Sequence, residues 1–186
     1  MKIIIISVLL AIILLIGILI NNNIISKKNR VKQAFGSIEI YLKKRFDLIP
    51  SLIATLNKYL AHEKEIMQKI TELRSASKHC INSQEQIEVS NELSKIVSGL
   101  HIQVENYPDL KADIQFINIQ FELSDIEDQI SASRRAFNAS VTTYNNNIQM
   151  FPANIVAGIR KDKTELLLEI PKTEQKEINI KDLLNS

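Results

Sequence analysis

The sequence predicts an all-α protein, with a single N-terminal transmembrane helix followed by an antiparallel bundle of three to four helices. Three observations favour this class. The 186 residues include only four Gly, four Pro and few aromatic residues, which disfavours a β-fold with many turns. Residues 3–20 form an apolar run without charge. Later in the chain, large apolar or aromatic side chains recur every seven residues, a spacing typical of helices that pack along one face.

The first predicted element is the apolar helix. Residues 3–20 would cover ~27 Å at a rise of ~1.5 Å per residue, which nearly spans a hydrocarbon core of ~30 Å. A secretory signal peptide would be followed by a cleavage site of small residues, whereas this run is followed by three Asn residues. Residues 1–25 are therefore interpreted as an uncleaved anchor. Lys2 is the only basic residue before the run, whereas four basic residues follow closely after it: Lys27, Lys28, Arg30 and Lys32. The positive-inside rule therefore predicts a single-pass protein with the bulk of the chain in the cytoplasm.

Residues 26–158 are predicted to form the bundle. Apolar side chains from Val31 to Leu73 alternate steps of three and four, which indicates a helical stripe of coiled-coil period. Pro50 falls inside this stripe and lacks an N–H group, so the helix is expected either to kink or to end there. A cluster of short polar residues over 75–84 predicts the first connection, and another amphipathic helix follows it.

A long helix is predicted to begin at Pro108, where an imino nitrogen loses no hydrogen bond, and to stop at Phe151-Pro152. Its seam places one large side chain at every second turn: Phe116, Leu123, Ile130, Phe137, Tyr144 and Phe151. Four helices require either a break near Pro50 or a short extra helix over residues 153–159, and the pattern leaves both open. Residues 159–186 are expected to form a loosely structured tail.

Charged side chains at seam positions predict a structural ion-pair network of four residues: Arg45, Glu63, Glu127 and Arg134. A charge that is desolvated alone is costly, so these groups should be paired if they lie inside the bundle. The hypothesis is that the network fixes the register of the helices. The alternative is that the helices splay and leave the four groups in water.

No catalytic, cofactor-binding or metal-binding residue is predicted. Helical bundles that hold two metal ions carry Glu three positions before His, whereas the three histidines here follow other residues at that offset: Tyr59 before His62, Ala76 before His79 and Ser98 before His101. Cys80 is the only cysteine, which excludes a disulfide within the chain and a zinc site built from cysteines. The formal net charge of +2 argues against nucleic acid as a partner.

Several segments resemble the LemA family. The opening of the bundle carries the first part of the resemblance, in Asn29-Arg30-Val31 and in Arg45 with Asp47-Leu48-Ile49-Pro50. The middle of the chain carries a segment similar to the family's Glu-x-Tyr-Pro-Asp-Leu-Lys turn, Glu105-Asn106-Tyr107-Pro108-Asp109-Leu110-Lys111-Ala112. The last helix follows the family pattern at Arg134, Phe137-Asn138, Val141, Tyr144-Asn145 and Phe151-Pro152. Phe137 stands where the family usually has Tyr, and Ser133 stands where it has Ala.

The resemblance covers Asn29 to about Gly158 and implies a membrane-anchored four-helix bundle with no established enzymatic activity. We therefore expect a structural or adaptor (scaffold) protein, not an enzyme, which is anchored at a bacterial inner (plasma) membrane and presents a helical surface to protein partners. The alternative that the resemblance implies is a regulatory partner of a membrane protease of the zinc-metallopeptidase type. The sequence identifies neither the partner nor the oligomeric state.

Overall fold

The computed structural model describes residues 1–59, 64–80, 83–103 and 107–168. Regular structure in these ranges is helical, in agreement with the predicted all-α class. The helices are α1 (Lys2–Tyr59), α2 (Lys64–His79), α3 (Ser83–Gln103), α4 (Pro108–Lys111), α5 (Ile114–Gln149) and α6 (Ala153–Arg160). The chain divides into two compact units: a middle unit of residues 35–133, and a terminal unit of residues 1–34 and 134–186.

Helix α1 runs without interruption from the apolar segment through Pro50 to Tyr59. Of the two routes to a fourth helix, the structure therefore contains the short extra helix α6 and no break at Pro50. Among the described residues, α1 alone is long and apolar enough to cross a membrane, and its most apolar stretch is not buried. Every large apolar side chain from Ile3 to Leu19 is exposed.

Two predicted boundaries on this side of the bundle are wrong. The stripe from Val31 to Leu73 does not belong to one helix, because α1 ends at Tyr59 and α2 begins at Lys64. Spacings of three and four continue across that boundary, so the periodicity does not reveal it. Helix α2 also extends to His79, into the segment predicted as a connection. Polar side chains of α2 form hydrogen bonds with main-chain carbonyl groups of the same helix. For example, Nδ1 of the His79 ring lies 2.8 Å from the Ser75 carbonyl oxygen.

The long seam helix begins later than predicted, because Pro108 opens the separate short helix α4. Asp113 then starts α5: its Oδ1 accepts hydrogen bonds from the N–H groups of Gln115 at 2.7 Å and Phe116 at 3.1 Å. Its Oδ2 accepts a bond of 2.8 Å from the Tyr59 hydroxyl, so the end of α1 is tied to the start of α5. The Tyr59 bond, followed by the backbone bond from Phe116, lowers the pKa of the Asp113 carboxyl.

Apolar side chains fill the interior of each unit. In the middle unit the core consists of Ile49, Leu52, Leu56, Ile70, Leu93, Leu110, Phe116, Ile119 and Leu123. In the terminal unit the buried apolar residues are Ile24, Val31, Phe137, Val141, Tyr144, Ile148, Ala153 and Ala157. The predicted seam is thus buried from Phe116 to Tyr144, whereas Phe151 lies beyond the end of α5 and is 79% exposed.

The predicted division into an anchor of residues 1–25, a bundle of residues 26–158 and a loosely structured tail of residues 159–186 stays a prediction. Within that tail, the structure describes the last turn of α6 and a non-helical segment that ends at Leu168. Residues 169–186 lie outside the described residues.

Candidate functional site

In the middle unit, two of the four predicted network residues form an ion pair. Arg45 on α1 is 3% exposed, and its Nη1 contacts Oε2 of Glu127 on α5. The same nitrogen donates a hydrogen bond of 3.0 Å to Oγ of Ser90, a fully buried residue on α3. Oγ of Ser94 lies 3.3 Å from the Glu127 carboxylate. The buried guanidinium therefore has an anion and a hydroxyl as partners, which is the condition for burying a charge.

The other two predicted network residues are Glu63 and Arg134. Glu63 falls outside the described residues. Arg134 is 2% exposed and belongs to the terminal unit. The network of four charges, and its role in fixing the register, stays a prediction.

In the terminal unit, a cluster of polar side chains surrounds Asp162, just after α6. The Asp162 side chain is 5% exposed. Its Oδ2 lies 2.7 Å from Nε of Arg160, and its Oδ1 lies 3.5 Å from Nζ of Lys28 on α1. Burial by itself raises the pKa of this carboxyl, but the hydrogen bond and charge of Arg160 and the charge of Lys28 outweigh burial, so the pKa lies below its ordinary value.

The cluster connects α6 to α1 directly after the apolar run. Nη1 of Arg160 donates a hydrogen bond of 2.5 Å to Oδ1 of Asn21. Nζ of Lys28 lies 6.0 Å from the centroid of the Tyr144 ring, within the range of a cation–π contact. Burial of Tyr144, with a further contribution from the Asp162 charge, raises the pKa of the phenol. We call Asn21, Lys28, Tyr144, Arg160 and Asp162 the polar cluster.

A left-handed residue turns the chain back after α6. Lys161 has φ 58° and ψ 34°, and its N–H donates to the Gly158 carbonyl. The N–H of Asp162 donates to the Ala157 carbonyl at 3.0 Å, which completes the Schellman arrangement that commonly ends helices. The chain then returns along α5, and the Tyr144 hydroxyl donates to the Lys163 carbonyl at 3.3 Å.

Two asparagines on α5 hold the returning segment by its main chain. Nδ2 of Asn145 donates to the Glu165 carbonyl at 2.9 Å, and Oδ1 of Asn145 accepts from the Glu165 N–H at 3.0 Å. Asn138 makes the same two bonds to Leu168, each of 2.9 Å. We call Asn138 and Asn145 the asparagine clasp. Each amide satisfies one donor and one acceptor of the segment, as a neighbouring β-strand would.

The clasp was not predicted from the sequence. Its signal in the sequence is an aromatic residue followed by Asn, repeated after seven positions as Phe137-Asn138 and Tyr144-Asn145. The heptad pattern includes only the aromatic member of each pair, because that member occupies the seam. The partner segment could not be inferred, because it returns to α5 only through the turn at Lys161.

The described residues offer little that could support metal or thiol chemistry. Within residues 1–59, 64–80, 83–103 and 107–168, no three side chains of His, Cys, Asp or Glu are grouped so that they could hold a metal ion. Cys80 follows α2, and its Sγ lies 3.3 Å from the Ala76 carbonyl oxygen. Burial is the main cause that raises the pKa of this thiol, which lowers the thiolate fraction near neutral pH.

Comparisons with known proteins agree with the resemblance noted in the sequence. The sequence model of the LemA family matches residues 34–181. The chain is also similar to Protein LemA of Metamycoplasma hominis, with 27% identity over 165 residues, which are 88% of this chain and 75% of that protein. The family model's match includes α1 from residue 34 to its end, all of α5 and α6, and both members of the asparagine clasp.

Proposed function

We propose that the chain, which belongs to the LemA family, is a membrane-anchored adaptor that presents its helices to protein partners at a bacterial inner membrane. The observation that carries this proposal is the continuity of α1. One helix contains both the exposed apolar segment and the buried residues Ile24 and Val31 of the terminal unit. The anchor and the folded part therefore share an element, with no linker between them.

The exposed apolar side chains of α1 support the membrane part of the proposal. Continuous apolar surface of this length is unfavourable in water and is matched by the hydrocarbon core of a bilayer. Arg30 and Lys32, just after the segment, are exposed, as is expected of residues that meet anionic headgroups. Lys28 is instead committed to Asp162.

The orientation is tested by thiol labelling. Because Cys80 is partly buried and its pKa is raised, Cys80→Ser combined with Ser124→Cys gives a better reporter, since Ser124 is exposed on α5. We expect a membrane-impermeant maleimide to label this variant only after spheroplasts are lysed, because the positive charge after the span holds the bulk of the chain in the cytoplasm. Labelling of intact spheroplasts would reverse the orientation.

The adaptor role is tested at the joint between the apolar segment and the rest of the terminal unit. Asn22 and Asn23 are exposed helical residues next to Asn21. Replacing both by Gly should make the joint flexible without changing its length, whereas replacing both by Ala should keep it helical. If placement of the folded part matters, the Gly pair weakens in-cell crosslinking to partners and the Ala pair preserves it. Equal crosslinking of the two variants would contradict the proposal.

The captured partner also distinguishes the alternative implied by the family resemblance, regulation of a membrane zinc metallopeptidase. That alternative requires a peptidase among the crosslinked proteins and a changed cleavage rate when this chain is deleted. An adaptor with other partners leaves such a cleavage rate unchanged.

A further inference from the structure

The asparagine clasp recognises only main-chain atoms. Its four hydrogen bonds go to the N–H and C=O groups of Glu165 and Leu168, and the bond from Tyr144 goes to the Lys163 carbonyl. Every residue except proline carries the same two groups. The clasp can therefore hold segments of many sequences, provided that a residue other than proline occupies each of the two bonded positions.

The spacing of the clasp matches an extended polypeptide. Asn138 and Asn145 are seven residues apart, so they are separated by ~10.5 Å along the helix axis. Glu165 and Leu168 are three residues apart, and three extended residues cover ~10 Å. The segment must therefore be almost fully extended, and it runs antiparallel to α5. The clasp thus selects a backbone conformation.

The side chains of the bound segment contribute little to its attachment. Leu166 is 87% exposed and Leu167 is 56% exposed, while Leu168 is partly buried. The polar cluster holds the start of the segment by Asp162, so the segment stays close to the clasp without extensive packing of its own. A tether of this kind gives an intramolecular occupant a high effective concentration even where its contacts are few.

We propose that the asparagine clasp is a binding site for an extended peptide segment of a partner protein, and that residues 163–168 occupy it as an internal competitor. This inference rests on the proposed adaptor function and identifies the part of the partner that is bound: an extended segment, recognised through its main-chain N–H and C=O groups. Displacement of the tail exchanges the four clasp hydrogen bonds and the Tyr144 bond for equivalent main-chain bonds to the new segment. Among residues 163–168, only the partly buried Leu168 loses side-chain burial in this exchange. Tail release thus regulates access to the site.

The test uses the full chain in detergent micelles and an acetylated, amidated peptide with the sequence Lys-Thr-Glu-Leu-Leu-Leu. Glu165→Pro with Leu168→Pro removes both N–H groups that the clasp accepts and should free the site. Peptide binding is followed by the NMR signals of the side-chain amides of Asn138 and Asn145. Each signal is assigned by its disappearance when that Asn is replaced by Asp. We expect saturation of the proline variant at roughly tenfold lower peptide concentration than wild type, because the tethered competitor is gone.

Matched controls separate the clasp from other surfaces. Leu167→Pro, which leaves both clasped N–H groups in place, should titrate like wild type. Asn138→Asp with Asn145→Asp, added to the proline variant, should abolish binding, since a carboxylate cannot donate to a carbonyl. This variant lacks both amide signals, so its binding is measured by the fluorescence polarisation of a labelled peptide, with the proline variant as the reference. A peptide with proline at its third and sixth positions should not bind, whereas one with Ala in place of the three Leu should bind within a few-fold.

Three results would overturn the inference. The freed variant could show no saturable shift, or the proline-containing peptide could bind equally well. Dimerisation of wild type that is lost in the proline variant would assign the site to the tail of a second copy. If peptide binding fails while in-cell crosslinking to partners persists, only the proposed peptide site is contradicted. If crosslinking is the same in the Gly and Ala variants of Asn22 and Asn23, only the proposed adaptor placement is contradicted.

Discussion

The buried ion pair of the middle unit and the asparagine clasp of the terminal unit hold polar groups by different chemistry. In the middle unit, the buried Arg45 guanidinium contacts the carboxylate of Glu127 and a buried hydroxyl. In the terminal unit, the neutral amides of Asn138 and Asn145 hold the main chain of residues 165–168. The first arrangement depends on two specific side chains, whereas the second depends on a backbone that nearly any segment can supply.

Because of this difference, the ion pair should mainly determine the stability of the fold, whereas the clasp allows one bound segment to be exchanged for another. Removing one member of a buried ion pair leaves an uncompensated charge, which the fold cannot replace with another group. Removing a clasped segment leaves two exposed or partly exposed amides that water or another peptide can satisfy. We therefore expect substitutions at the ion pair to change the free energy of unfolding strongly, and changes to the tail to alter access more than stability.

The largest effect is expected at Glu127. Glu127→Gln removes the anion from Arg45, which is 3% exposed, and should lower the free energy of unfolding by about 2–3 kcal/mol, a value reduced because Glu127 is itself partly exposed to solvent. Urea titration followed by circular dichroism measures the change. Glu122→Gln, an exposed carboxylate on the same helix, is the control and should have almost no effect. Equal losses would show that the ion pair is not important for stability.

A second large effect is expected at the boundary of the terminal unit. Arg134 is 2% exposed, whereas the next residue, Arg135, is exposed. Arg134→Ala removes a buried aliphatic stem together with a buried charge and should cost about 2 kcal/mol. Arg135→Ala should leave the melting temperature nearly unchanged. Similar melting temperatures for the two variants would count against a structural role for Arg134.

The smallest effect concerns pH and the polar cluster. The pKa of Asp162 is lower in the folded state than in the unfolded chain, so its contribution to stability is present above about pH 4 and is lost as pH falls through the folded pKa. The melting temperature of wild type should therefore exceed that of Asp162→Asn near neutral pH, and the difference should close in acid. A difference that persists unchanged to pH 2 would assign the effect of the substitution to packing and not to charge.

Much of the helical framework follows from periodicity. Burial of Phe116 and Tyr144 was predictable because their heptad spacing persists through an uninterrupted helix. Boundaries were less predictable. The stripe of α1 continues in phase beyond Tyr59, and α5 starts at a cap formed by Asp113, whose other carboxylate oxygen accepts a bond from Tyr59. Periodicity predicts which face of a helix is buried, but it does not predict the residues at which one helix ends and the next begins.

The site was harder to predict than the fold. Arg45 and Glu127 stood out because a charge at an apolar position is costly without a partner. Asn138 and Asn145 match the family pattern, but no role was predicted for them, because a polar residue beside a buried stripe normally faces solvent. Their role depends on the segment that returns after Lys161, and no local pattern in α5 specifies that segment.

The unbroken passage of α1 through Asn21 has a rotational consequence. Each helical residue turns the chain by about 100° and advances it ~1.5 Å. Because the hydrogen bond between Asn21 and Arg160 fixes one point of this helix against α6, it also fixes the azimuth of the apolar segment that precedes it. Deleting Asn22 would leave the hydrophobic length unchanged but would turn Asn21 and the apolar segment by about 100° relative to the residues that follow them in α1, so the bond to Arg160 would be lost.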